Sequence, residues 1–115
     1  MDRDKSFNNQ LQMFQMVANS SDEAALECGK MFCETESDPV VRSILSVPKY
    51  VRIVMGACAM AMQRTGIAPS DRTREQQTQF FNVVFEELRF VNAFSEFELN
   101  AIKMSVQADI DAMED

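Results

Sequence analysis

RTREQQTQFFNVVFEELRFVNA, residues 72–93, decides the fold class. Set at 100° per residue, Phe81, Val84, Phe85, Leu88 and Val91 fall on one apolar stripe. Phe80, Val83, Phe90 and Phe94 form a second stripe beside it. Glu75, Gln79, Asn82, Glu86, Arg89 and Ala93 hold the remaining wedge. A surface helix needs an apolar stripe only a little over about 100° wide. Here more than half of the circumference is apolar. Either this is the central helix of a bundle, or one stripe docks a partner.

Helical spacing extends in both directions from this stretch. Upstream, Phe7, Leu11, Phe14 and Ala18, with Val17 beside them, predict an amphipathic helix over about 4–19. Ser20 and Glu23 have capping-box spacing and predict a restart, with a helix over about 22–35. Its inner face reads Ala25, Cys28, Gly29 and Phe32. Asp38-Pro39 opens a short helix to about Ser46, because Asp is a good cap and Pro is tolerated at the first helical position. Pro48 opens the next, over about 48–64, and Gly66 is placed to end it. Its inner face reads Val51, Val54, Met55, Cys58, Ala61 and Met62. Ile67 to Asp71 reads as a loop. Downstream, Ser95 and Glu98 form a second capping box before a helix over about 96–113, with Leu99, Ile102, Val106, Ile110 and Met113 as its stripe. The expected fold is all-α: a compact bundle of five to six helices with short loops, in a single helical domain over residues 1–115.

Composition agrees. The 115 residues include only 3 Gly and 3 Pro, too few for the many tight turns of an all-β fold, and 9 Met, a good helix former. Apolar residues make up 46% and charged residues 25%, which is ordinary for a globular chain. A chain of this length buries roughly 65% of its unfolded surface, enough to fold without staples. The net charge is −7, most of it in the second half. That balance disfavours nucleic acid as a partner, because phosphate binding needs Lys and Arg to replace counterions. It also disfavours anionic membranes. Cys28, Cys33 and Cys58 are an odd set without a secretory signal, so reduced thiols and a cytoplasmic location are expected.

Catalytic signals are weak. The chain has no His, the commonest general base and metal ligand. It has no Gly-rich phosphate loop and no nucleophile elbow. No enzyme activity and no cofactor are expected. Cys28 and Cys33 are five residues apart on a helix, which turns them about 140° from each other, so a shared metal is not expected either. The three cysteines read as small buried hydrophobes.

Four groups of residues are candidates for binding. Val83, Phe90, Phe94 and Phe97 would form a partner-binding stripe, with a homodimer as one form of the contact. Lys49, Arg52, Arg64, Arg72 and Arg74 would form a basic cluster able to grip phosphate or an acidic partner. Gly56 and Ala59 share the side of the helix that carries Lys49, Arg52 and Gln63, so another backbone can approach there, from the same chain or a second one. Asp109, Asp111, Glu114 and Asp115 would form an acidic patch at a helix C-terminus, where acids oppose the macrodipole. The reading that results is a non-enzymatic protein-interaction module that acts by binding another protein, as adaptor, assembly subunit or inhibitor. Two alternatives stay open: a small acidic decoy from a mobile element or phage that inhibits nucleic-acid-binding machinery, and a small nucleic-acid or phosphate binder using the basic cluster.

Overall fold

Capping chemistry sets where each helix starts and stops. The computed structural model describes residues 2–70 and 73–113, with side chains from residue 5 onward. It contains six helices and, among the described residues, no strand: α1 (Asp2–Ala18), α2 (Asp22–Cys33), α3 (Pro39–Leu45), α4 (Pro48–Thr65), α5 (Arg74–Val91) and α6 (Glu96–Asp111). The fold is therefore an all-α bundle of six helices.

Most of the expected signals act as read. Asp38 accepts from the backbone N–H groups of Val40 (2.8 Å) and Val41 (3.2 Å), with Pro39 opening α3. Gly66 ends α4 in the left-handed region, φ 70°. Ser95 and Glu98 complete their reciprocal box, the Glu98 N–H donating to Ser95 Oγ and the Ser95 N–H to Glu98 Oε1. The Ser20–Glu23 box does not form. Ser20 Oγ donates instead to the Val17 carbonyl and closes α1, while Ser21 caps α2 by accepting from the Ala24 N–H. One serine ends a helix and the next begins one. The helix expected over 72–93 spans Arg74–Val91. A Thr73–Gln76 capping box precedes it, and Asn92, at φ 58°, ends it in the left-handed conformation that Asn tolerates best after Gly.

The centre of the bundle is α4, not α5. α1, α2, α3 and α5 all pack against α4, while α6 packs only on α5 and α3. The reason lies in side-chain size. Ala57, Ala59 and Ala61 are buried together with Val51, Met55, Cys58 and Met62, so neighbours approach α4 from several sides. The bulky residues of α5 can bury only one side. Its core row is Gln77, Phe80, Val84 and Leu88, which cuts across both expected stripes. Phe80, Leu88, Met62 and Val51 are the largest fully buried side chains.

Two glycines serve this packing differently. A Cβ on Gly29 of α2 would stand 2.1 Å from the Leu45 carbonyl oxygen at the end of α3 and 3.0 Å from Val51 Cγ2 of α4. Only glycine permits that approach. A Cβ on Gly56 of α4 would meet just the Ala18 methyl of α1, at 3.7 Å. The small side of α4 is thus covered by the α1–α2 corner of the same chain, where Arg52 also pairs with Asp22.

No single described helix is long and apolar enough to cross a membrane. α3 and α4 are apolar enough as a pair, but they meet at 94° and their apolar residues form the core.

Candidate functional site

The residues of the expected partner stripe divide between surface and interior. Phe90, in the last turn of α5, is 86% exposed, and Phe97, in the first turn of α6, is 71% exposed. Val91 is exposed beside Phe90. Phe94 belongs to the core instead: it is 6% exposed, and its ring lies 4.9 Å from that of Tyr50 on α4. It sits between two helices rather than on one, because the chain leaves α5 at Asn92, and the helical wheel misplaces it. Val83 is half-buried and packs against the core. Arg89 and Glu96 form an ion pair (2.8 Å) that ties the two sides of this α5–α6 corner together.

The expected basic cluster is dispersed over three helix junctions. Arg52 pairs with Asp22 at the start of α2. Arg64 donates to Glu87 (2.9 Å) and Glu86 (3.5 Å) of α5. Arg74 donates to the carbonyls of Asp111 (2.6 Å) and Met113 (3.2 Å), and so caps the C-terminus of α6. Lys49 is exposed. Arg72 lies outside the described residues. The guanidinium groups thus hold the bundle together rather than converging on a common ligand.

Of the expected acidic patch, Glu114 and Asp115 lie outside the described residues. Asp111 accepts from Gln107 of its own helix (2.9 Å). Asp109 takes part in a different arrangement, which the sequence reading did not anticipate. Because α6 rests on α5 and α3 without approaching α4, a cleft of about 610 Å³ remains beneath it. α4 supplies the floor with Val54, Met55 and Cys58. Phe80 and Phe81 of α5 form one wall, and Phe32 and Glu36, at and just beyond the end of α2, form the other. α6 forms the roof with Met104, Ser105, Ala108 and Asp109.

Glu36 is held firmly at this cleft. Its carboxylate accepts from the Asp38 N–H (3.0 Å) and from Ser105 Oγ of α6 (2.7 Å). Asp109 follows Ser105 by one helical turn, which brings the two carboxylates to one end of the cleft. Asp109 is exposed, yet partial burial and then the Glu36 charge hold its carboxyl above the usual range. No spacing rule links residues 36 and 109. The only sequence sign of this site was the acid-rich end of α6.

The thiols behave as small hydrophobes of varying depth. Cys58 is buried, and burial, with a smaller contribution from Cys28, pushes it up to about 12. Cys28 packs against the core cluster that holds Cys58, and Cys33 against the smaller cluster of Val41, Leu45 and Ala101. Burial raises the Cys28 thiol as well. Cys33 donates weakly to the Arg42 carbonyl (3.7 Å). Among the described residues, no group of three or more Cys, Asp or Glu is placed to hold a metal ion. Comparison with known protein families, curated protein sequences and solved structures finds no match to this chain.

Proposed function

We propose that this protein is a non-enzymatic protein-binding module whose contact surface is the α5–α6 corner. The observation that carries the reading is the exposure of Phe90 (86%) and Phe97 (71%) on either side of one short turn. A ring left in water forgoes the free energy that burial of its area would release, roughly 25 cal/mol per Å². Aromatic anchors inside a polar rim are what protein interfaces use most. The rim here is the Arg89–Glu96 pair. Arg89 and Glu96 carry opposite charges, so a two-fold contact through this corner can exchange the pair between copies while it covers the two rings. Self-association is therefore the first form of the contact to test, with adaptor or inhibitor roles as its hetero-complex forms.

Light scattering of the wild type against Phe90→Asp and Phe97→Asp provides the test. The expected result is a dimer that becomes a monomer in both variants, with unchanged helix content by circular dichroism. A wild-type monomer whose captured partners are the same as those of Phe90→Asp would overturn the reading. The acidic-decoy and phosphate-binding alternatives draw no support from the geometry: the described acids do not form one patch, and Arg52, Arg64 and Arg74 already have partners.

A further inference from the structure

We propose that the cleft beneath α6 is a binding site for an amphipathic organic cation, a protonated amine with an aryl or alkyl body. The volume, about 610 Å³, lies within the range of small-molecule sites. The cleft follows from the topology, because α6 spans from α5 to α3 without packing on α4, whose half-buried Val54 lines the cleft beside the buried Met55 and Cys58. Phe32 and Phe81 line it with accessible rings, with the buried Phe80 behind them, and Met104 offers an adaptable thioether from the roof opposite the buried Met55.

Charge selects the ligand class. Among the described residues, Glu36, Asp38 and Asp109 line the cleft and no Lys or Arg does. Asp38 is committed to the α3 cap. Arg42 donates to the Glu36 backbone carbonyl (3.3 Å), not to its carboxylate. Among the described residues, neither Glu36 nor Asp109 forms an ion pair. Glu36 keeps its position through Ser105 and the Asp38 N–H, so it is preorganised before any ligand arrives. An ammonium group between Glu36 and Asp109 donates to both carboxylates and separates two like charges, while its apolar body lies against Phe32 and Phe81. A carboxylate ligand would add a third negative charge at the same point.

The test is a titration with three probes of one shape: phenylhexylamine, phenylhexanol and phenylhexanoate. Methionine methyl signals in NMR are followed. The amine is expected to shift Met55 and Met104, which line the cleft, and to leave Met16 and Met60 unmoved. It should bind about tenfold more tightly than the alcohol, the difference a charge-assisted contact typically brings, and the carboxylate should bind most weakly. Asp109→Asn should remove that tenfold advantage without changing affinity for the alcohol. Ala108→Trp, which projects a ring from the roof, should abolish binding of both. Phe90→Asp should leave binding intact, which separates this site from the α5–α6 corner. Equal affinity for amine and carboxylate, an unchanged Asp109→Asn, or shifts at Met16 and Met60 in place of Met55 and Met104 would each overturn the proposal. The wild-type methyl shifts decide the location even if Ala108→Trp fails to fold.

Discussion

Alanine at Gly29 and alanine at Gly56 should change stability in opposite directions, although both sites are helical glycines. Exchanging Gly for Ala inside a helix gains about 1 kcal/mol in propensity. At Gly56 little opposes that gain, since the new methyl meets only the Ala18 methyl at 3.7 Å, an ordinary contact. Gly56→Ala should therefore stabilise by roughly 0.5–1 kcal/mol. At Gly29 the new carbon falls 2.1 Å from the Leu45 carbonyl oxygen, where Cβ atoms essentially never come closer than 3.0 Å. The shortfall is about 0.9 Å, and the obstacle is backbone, with Val51 Cγ2 at 3.0 Å closing the other direction. No side-chain rotation relieves it, so α2 must move away from both α3 and α4. Overpacking costs about 1–3 kcal/mol where side chains can adjust, and a rigid obstacle puts this case at the upper end. After the propensity gain, the net loss is about 2 kcal/mol, or roughly 8 °C in Tm for a chain of this size. Urea unfolding followed by circular dichroism measures both variants, and the slope of the transition should not change. A Gly29→Ala protein as stable as the wild type would refute the close approach of α2 to the end of α3. A Gly56→Ala protein destabilised by more than about 1 kcal/mol would show that α1 lies nearer to α4 than described.

Other consequences follow from single contacts. Arg74→Ala removes the donors that cap the carbonyls at the end of α6, so amide exchange should quicken in the last turn of α6, at a cost of about 0.5–1 kcal/mol; protection equal to wild type would mean the cap is not formed in solution. At mildly alkaline pH a thiol reagent should label Cys33 first and leave Cys58 unmodified until urea opens the bundle, because Cys58 is buried and pushed up to about 12; equal native rates would argue against that burial. Asp109 has a carboxyl raised in the folded state, so the native protein binds its proton more tightly than the unfolded chain does. Its contribution is present below the unfolded carboxylate range and is lost as pH rises through the folded value. Asp109→Asn should therefore flatten the stability profile on the alkaline side of that range and stabilise at neutral pH, by only a few tenths of a kcal/mol because the group is exposed and screened; a variant that is less stable at neutral pH would reverse the assigned cause.

Local chemistry determined the elements. Asp38-Pro39, Pro48, Gly66 and the Ser95–Glu98 box mark helix ends through hydrogen bonds and fixed dihedrals that involve neighbours within four residues, so one sequence suffices to read them. The stripes on α1, α4 and α6 were legible for the same reason, since side chains three and four apart share a face whatever the partner. Even here a one-residue ambiguity, Ser20 against Ser21, was decided only when α1 had ended and claimed one of the two hydroxyls. What tertiary structure alone decided was which helix lies at the centre. The apolar surplus of α5 pointed to that helix, but centrality follows from how closely neighbours approach, and the alanines and glycine of α4 permit it on more sides than phenylalanines do. The same packing drew Phe94 inward, left Phe90 and Phe97 outside, and assigned Arg52, Arg64 and Arg74 to three separate junctions. It also held α6 away from α4 and brought Glu36 and Asp109 together across 73 residues of chain. That pairing depends on where two distant segments dock, and no periodicity in one sequence records it.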